Sequence, residues 1–198
     1  TSAKTGDTVE LRFTTNELIS LDSSITIANQ SVSISQLNSS GSESYYHIAL
    51  YIVSDDSVEG SVAFSIEAKD YAGNSAESIT STSDETLVSI DNTAPEPGVL
   101  SFTDLTDTGS SSTDGVTSDN NFSLAIAGQE EGTTVEFQRS SDGTVWTATT
   151  AEQVDVAEQV DPYYYRALVV DAAGNQSFTK LLNVTIDISA PSTAAATQ

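Results

Sequence analysis

The chain has 198 residues, enough for one large domain or for two domains of about 100 residues each. Its 29 acidic and 6 basic residues give a net charge of −23, which repels nucleic acids and anionic membranes and attracts cations. The absence of cysteine excludes disulfides, thiolate metal sites and a cysteine nucleophile. No stretch approaches the roughly 20 apolar residues of a membrane span, so we expect neither a nucleic-acid partner nor direct membrane insertion.

Apolar and polar residues alternate through the first half of the chain, beginning at Val9. Alternation predicts half-buried β-strands, because successive side chains of a strand point to opposite faces. Three rows of apolar residues are each expected to form one buried face. The rows are Val9, Leu11 and Phe13; Tyr46, Ile48, Leu50 and Ile52; and Val62, Phe64, Ile66 and Ala68.

A turn and a proline-rich segment follow these predicted strands. The sequence Asp-Tyr-Ala-Gly-Asn at 70–74 falls between the last two strands, where Gly and Asn can adopt the positive φ angles of a tight turn. Two prolines within 91–97 cannot donate ladder hydrogen bonds, so they end the last strand. We therefore expect a short, stiff linker there.

The second half of the chain repeats this organisation. Asp-Ala-Ala-Gly-Asn begins at Asp171, 101 positions after Asp70, and 184–191 echoes 88–95 at an offset of 96. A long Ser-, Asp- and Gly-rich loop is expected at 106–121. Two motifs in the same order at nearly the same spacing indicate one module present twice. Its apolar rows are Phe122, Leu124 and Ile126; Val135 and Phe137; Tyr163, Tyr165, Ala167 and Val169; and Leu182, Val184 and Ile186.

The sequence thus predicts an all-β protein of two tandem immunoglobulin-like β-sandwich domains in an elongated arrangement, each with roughly seven strands. We place the domains at residues 1–93 and 94–191, with a linker or tail at 192–198. Phe64 and Tyr165 each lie six residues before the Asp of their module's turn. They are expected to occupy equivalent buried positions.

These motifs resemble the bacterial immunoglobulin-like tandem repeats that fill the extender regions of giant RTX-type adhesins. The resemblance rests on 3–9, 107–117, 132–137 and 141–146, on both Asp-x-Ala-Gly-Asn turns, and on both Ile-Asp-x-x-Ala-Pro exits. It implies an extracellular protein, secreted or displayed on a bacterial cell surface, exported by a type I system. It also implies rod-like arrays of domains with calcium bound at or near their junctions.

We accordingly expect Ca²⁺, which prefers six to eight oxygen ligands of the kind an acidic chain supplies. In an immunoglobulin topology, stacking of the two modules would bring the first exit, Asp91-Asn92, towards the second turn at Asp171 and Asn175. The first turn, at 70–74, and the second exit, at Asp187, would then face further modules. The alternative is that Asp, Gly and Asn occur there only because turns favour them. The expected ligands are Asp91, Asn92, Asp171, Asn175, Asp70, Asn74 and Asp187, with Asp104, Asp107, Asp114 and Asp119 of the long loop as a second group.

Catalytic chemistry has little support in the sequence, and we expect no enzyme. His47 is the single histidine and falls within a predicted strand, where a surface position outweighs a general-base role. Adjacent acids such as Asp55 and Asp56 are typical of solvated loops. Trp146 and the Tyr163–Tyr165 run could stack on sugars, but the alternation places them in the core or at its edge.

The expected function is structural: the modules act as spacers that hold a distant ligand-binding domain away from the cell. Two alternatives stay open, namely a module that itself binds a carbohydrate or host surface, and an accessory sandwich of a secreted polysaccharide-active enzyme. The expected partners are neighbouring immunoglobulin-like modules of the same chain, and we expect a monomer. The adhesion target cannot be read from these residues.

Overall fold

The computed structural model describes residues 1–38 and 44–192. Within these ranges the chain forms eighteen β-strands and no helix, so the all-β prediction is confirmed. It divides into two compact units, Thr1–Thr93 and Ala94–Gln198. Residues 193–198, most of the predicted tail, lie outside the described residues. No helix long and apolar enough to cross a membrane occurs in the described part of the chain.

The first unit is a sandwich built from short sheets. Its strands are β1 (Ser2–Ala3), β2 (Thr8–Thr15), β3 (Ser24–Ile27), β4 (Gln30–Ser31), β5 (Ile34–Asn38), β6 (Tyr45–Ile52), β7 (Gly60–Ser61), β8 (Phe64–Glu67) and β9 (Ser89–Ile90). The sheets have the orders β2-β6-β5, β4-β3-β8 and β1-β9-β7. Buried residues of all three sheets form one hydrophobic core, which includes Val9, Ile27 and Ile90.

The second unit is a sandwich with a larger second sheet. Its strands are β10 (Val99–Thr103), β11 (Val116–Thr117), β12 (Phe122–Ala127), β13 (Thr134–Ser140), β14 (Thr147–Thr149), β15 (Glu152–Gln153), β16 (Tyr163–Val170), β17 (Gln176–Phe178) and β18 (Leu182–Ile186). One sheet has the order β10-β12-β15, and the other β11-β18-β16-β13-β14 with β17 also paired to β16. Its core joins Leu100 and Phe122 of the first sheet to Tyr165 of the second.

The strand pairings of the two units correspond. In each unit a two-residue strand pairs in parallel with the last strand, β1 with β9 and β11 with β18. In each unit the next strand, β2 or β12, belongs to the opposite sheet. The units differ at that strand, because β12 lies between β10 and β15, whereas β2 pairs with β6 alone among the described residues.

Alternation predicted the buried faces correctly except on β6. The predicted buried row is largely exposed, with Tyr46 at 48%, Leu50 at 51% and Ile52 at 67%, whereas His47 at 1% and Ala49 at 0% are buried. The cause is the register with β2, since residues opposite each other on paired strands share a face. The apolar row of β2 lies opposite Tyr51, Ala49 and His47, which directs those three side chains into the core.

Two core predictions concerned aromatic residues. Tyr165 is fully buried, but Phe64, which lies at the equivalent place before its turn, is only partly buried. Trp146 is partly exposed and is not among the core residues of the second unit.

His47 is a buried titratable residue of the first unit. Its ring stacks on Phe13 with centroids 4.8 Å apart, Nε2 lies 2.9 Å from Thr15 Oγ1, and Nδ1 is buried without a hydrogen-bond partner among the described residues. Burial lowers the pKa of His47 from its ordinary 6.5. The unfolded chain therefore binds this proton more readily than the folded chain does.

We predict that the free energy of unfolding of the first unit falls as the pH drops from about 7 towards about 5, below the unfolded pKa of histidine. His47→Phe should flatten this part of the profile, because the chain has no other histidine. Urea melts at a series of pH values measure the free energy of unfolding of the parent and of the His47→Phe variant. Parallel profiles for the two would contradict the prediction.

Candidate functional site

Both Asp-x-Ala-Gly-Asn segments form tight turns closed by their own side chains, as predicted. Asp70 accepts hydrogen bonds from the backbone N–H and the side-chain Nδ2 of Asn74, each at 2.7 Å. These bonds lower the pKa of the Asp70 carboxyl. Asp171 accepts the same two bonds from Asn175, each at 2.9 Å. Each carboxylate therefore uses both oxygens within its turn.

Glycine is required at one position of each turn. Gly73 has a φ of 88° and Gly174 a φ of 86°. A residue with a Cβ rarely adopts this conformation. Backbone geometry thus accounts for the glycine of each turn, and the side-chain hydrogen bond to the Asp accounts for the asparagine.

The two exit segments also form local turns. Asp91 Oδ1 accepts the N–H of Thr93 at 3.2 Å, and Asp187 Oδ1 accepts the N–H of Ser189 at the same distance. Asn92 ties the first exit to its unit, since Oδ1 accepts the N–H of Thr5 at 2.8 Å and Nδ2 donates to the Ser54 carbonyl at 3.2 Å. The side chain of Asn92 therefore serves as a structural tie. The second exit has Ile188 at this place and lacks an equivalent amide.

A glutamate that the sequence analysis missed holds each exit segment. Glu59 Oε1 accepts the N–H of Asn92 at 3.0 Å and the hydroxyl of Thr93 at 2.7 Å. Glu158 Oε2 accepts the N–H of Ile188 at 3.3 Å and the hydroxyl of Ser189 at 2.7 Å. We call these two arrangements the exit clamps. The glutamates lie 99 positions apart, between the two repeat offsets of 96 and 101, but their neighbours in sequence differ.

The acidic residues of the long loop are mostly engaged in backbone turns. Asp114 Oδ1 accepts the N–H of Val116 at 3.1 Å, and Asp119 Oδ2 accepts the N–H of Thr106 at 2.8 Å. Asp104 has a positive φ of 62°, which is uncommon outside glycine. Asp114 and Asp119 thus each accept a backbone N–H within the loop.

Asp107 is different. Its Oδ2 accepts the N–H of Gly115 at 3.1 Å, but its Oδ1 is buried with no hydrogen-bond partner among the described residues. A buried carboxylate oxygen without a partner is costly unless a cation or water satisfies it. No group of three or more acidic or histidine side chains close enough to hold a metal occurs in the described ranges. The local geometry therefore offers Asp107 as a single carboxylate ligand.

Trp146 belongs to a stacked surface cluster on the larger sheet of the second unit. The Arg166 guanidinium lies 4.1 Å from the Trp146 ring centroid and 4.0 Å from that of Phe178. Arg166 Nε also donates to Gln138 Oε1 at 2.8 Å. The arginine thus covers one face of the tryptophan that would otherwise be open to stack on a sugar.

A known protein family matches the part of the chain that forms the second sandwich. Residues 93–188 match the family model described as Bacterial Ig-like domain. The match supports a bacterial Ig-like domain in this part of the chain. A comparison with curated proteins gives no match.

Several solved structures are similar to the chain at low identity. The Clostridium thermocellum CbhA fibronectin(III)-like modules share 10% identity at a TM-score of 0.37, over 93% of this chain and 88% of that one. A pair of titin Ig tandem domains shares 10% identity at a TM-score of 0.29, over 94% and 91% of the two chains. The sialic acid binding region of a Streptococcus sanguinis adhesin also shares 10% identity at 0.29, over 94% and 75%.

We predict that Glu59→Ala loosens the first exit. It removes the acceptor of two hydrogen bonds to an exposed segment, which costs about 0.5–1.5 kcal/mol per bond. Amide exchange measured by NMR should accelerate at Asn92, while the core of the unit stays protected. Glu59→Gln is the matched control, because its carbonyl oxygen still accepts both bonds. Equal exchange at Asn92 in all three proteins would show that the clamp holds nothing.

Proposed function

We propose that the two sandwich units are structural spacer modules of a bacterial adhesin of the RTX type, placed outside the cell. The observation that supports this is the parallel pairing of an early strand with the last strand in both units. In the first unit, Asp91 N–H donates to the Ala3 carbonyl at 2.9 Å. In the second, Thr185 and Asp187 donate to Gly115 and Thr117 at 2.8 and 2.9 Å.

Parallel pairing of this kind suits a module that carries tension. When a chain is pulled from its two ends, parallel neighbours slide along each other, so their hydrogen bonds are loaded together rather than one at a time. The lifetime of a module under force depends on its unfolding rate. Hydrogen bonds between parallel strands that must break together therefore slow unfolding under force.

The exit clamps favour the same function. A clamp fixes two donors of the segment that leaves each unit, which restricts the conformations of that segment. A restricted exit transmits orientation better than a flexible Gly- or Ser-rich linker does. The clamp occurs in both units although their exits differ at Asn92 and Ile188.

The spacer function is preferred over a ligand-binding module because the ring of Trp146, a candidate for stacking on a sugar, is already in contact with Arg166. Trp146 is the one tryptophan of the chain, and Arg166 covers one face of its ring. A glycan array probed with the 198-residue chain distinguishes the two functions. Specific binding of a glycan would favour the ligand-binding alternative.

Calcium is part of the proposal as a stabilising ion. The buried, unpartnered Oδ1 of Asp107 supports a cation at the long loop of the second unit. The turn carboxylates of Asp70 and Asp171 fit a cation less well, because each already accepts hydrogen bonds on both oxygens. The calcium set based on Asp91, Asn92, Asp171 and Asn175 stays a prediction.

We predict that proline at Thr185 weakens the second unit under force. Thr185→Pro removes the hydrogen bond to Gly115, worth about 1 kcal/mol, and should lower the unfolding force measured by single-molecule pulling through the chain ends. Ala148→Pro is the control, since β14 lies outside the parallel pair. If the two variants lost the same unfolding force at the same loss of urea stability, the mechanical role of the parallel pair would be wrong.

We also predict that calcium raises the melting temperature of the second unit through Asp107. An ion bound only by the folded state adds about 2.7 kcal/mol at a hundredfold excess over its Kd. Asp107→Asn should abolish the difference between melts in calcium and in EGTA. Asp161→Asn, which removes one charge of the same unit outside the loop, should retain it. A calcium response that survives Asp107→Asn would remove this residue from the ligand set.

A further inference from the structure

The outward face of strand β6 carries an unbroken row of apolar side chains. Tyr46, Ile48, Leu50 and Ile52 alternate with the core-facing residues of the strand and therefore point away from the core. Tyr46, Leu50 and Ile52 are exposed, and Ile48 is partly buried. Alternate residues of a strand lie about 6.7 Å apart, so the row is about 20 Å long. We call it the β6 ridge.

The second unit lacks such a row at the equivalent place. There β15 pairs with β12 as β6 pairs with β2. The outward residues are Ser123, Ala125 and Ala127 of β12 and Glu152 of β15, all small or polar. A strand beside β12, namely β10, lies within the sheet and does not cover this face. The fold of the module therefore does not require the β6 ridge.

Strand propensity also leaves the ridge unexplained. Isoleucine and tyrosine favour strands, but so does threonine, which fills the outward positions Thr8 and Thr14 of the neighbouring β2. Leucine, present at Leu50, is not among the residue types enriched in strands. Antiparallel sheets commonly carry polar residues on a solvated face, and contiguous exposed apolar surface marks an interaction site. The ridge thus has the character of a surface that a partner covers.

The surroundings of the ridge are acidic. The segments 4–17 and 44–57, which contain β2 and β6, hold five acidic and two basic residues: Asp7, Glu10, Glu17, Asp55 and Asp56 against Lys4 and Arg12. Exposed Asp55 and Asp56 follow the ridge at one end, and exposed Glu17 follows β2 at the other. An apolar centre with a charged rim is the usual anatomy of a protein–protein interface.

Charge selects the kind of partner. A second copy of this chain carries the same −23 and is repelled, and an anionic membrane is repelled for the same reason. Beside the ridge, Glu10 forms an ion pair with Arg12, so the acidic residues at the two ends set the local charge. The complementary surface is an apolar strip with lysine or arginine at its ends.

We propose that the β6 ridge is a docking surface for a basic protein, which lays an apolar strip on the ridge and places cationic side chains against Asp55, Asp56 and Glu17. Burial of the ridge stabilises the complex. The acidic rim attracts a basic partner and rejects acidic ones. The spacer function neither requires nor assigns this surface.

A designed peptide tests the proposal. It is a helix of about 14 residues, about 20 Å long, with leucine along one face and lysine on the others. A second peptide of the same composition has its leucines spread over all faces. In titrations of the isotope-labelled 198-residue chain, we expect saturable NMR shifts confined to β2, β6 and the residues that follow each strand, with the first peptide only. This arm leaves the protein unchanged, so it does not depend on the folding of any variant.

Protein variants provide the second arm. Leu50→Thr combined with Ile52→Thr keeps a residue type that favours strands and should weaken binding of the first peptide at least about tenfold, or about 1.4 kcal/mol. Leu21→Thr is the matched control, because Leu21 is 97% exposed in the same unit but outside the ridge. It should bind as well as the parent. Asp55→Asn combined with Asp56→Asn should weaken binding about threefold at low salt and have no effect at about 1 M salt, where surface charges are screened.

Equal binding of the two peptides, or unchanged binding by the Leu50 and Ile52 double variant, would overturn the proposal, because the peptide would then be held by general charge attraction. An equal loss of binding in Leu21→Thr would do the same. Dimerisation of the chain that the double variant abolishes would assign the ridge to a second copy instead. Binding to phosphatidylcholine vesicles that the double variant abolishes would assign it to a membrane, and either result would overturn the proposal.

Discussion

The parallel pairing between an early strand and the last strand is the constraint on which each unit depends. It brings Ala3 opposite Ile90 and Thr117 opposite Ile186, and both isoleucines are core residues. Because the last strand is held at this point, the exit segment begins at a defined place on the unit. The glutamate clamps then act on a segment whose position is already set by the sheet.

Much of this fold could be predicted because its features are local. Alternation needs only neighbouring residues, and the Gly73 and Gly174 turns need only the preference of glycine for positive φ. The buried face of β6 could not be predicted in this way. Both of its faces carry apolar residues, and the choice depends on pairing with β2, more than thirty residues away. A one-residue change of register exchanges the two faces completely.

Some residues of the candidate site could also be recognised from local sequence, and others only from the structure. Asp70 and Asp171 were recognised from a repeated motif, and the motif proved to be a turn that closes on itself. Glu59 and Glu158 carry a repeated interaction without a repeated motif, since their neighbours in sequence differ. Asp107 was one of four acids in a polar loop, and it differs from the others in its buried Oδ1, which has no hydrogen-bond partner among the described residues.

The strongly acidic composition fits a protein expected to be a monomer, whose strand β2 has one neighbour among the described residues. An exposed edge presents unpaired backbone groups that can join another chain, and proteins commonly protect such edges with charge. Here Glu10, Asp84 and Glu85 border the edge, and the net charge opposes the approach of a second copy. The repulsion is selective, because it acts on acidic chains and not on neutral or basic ones.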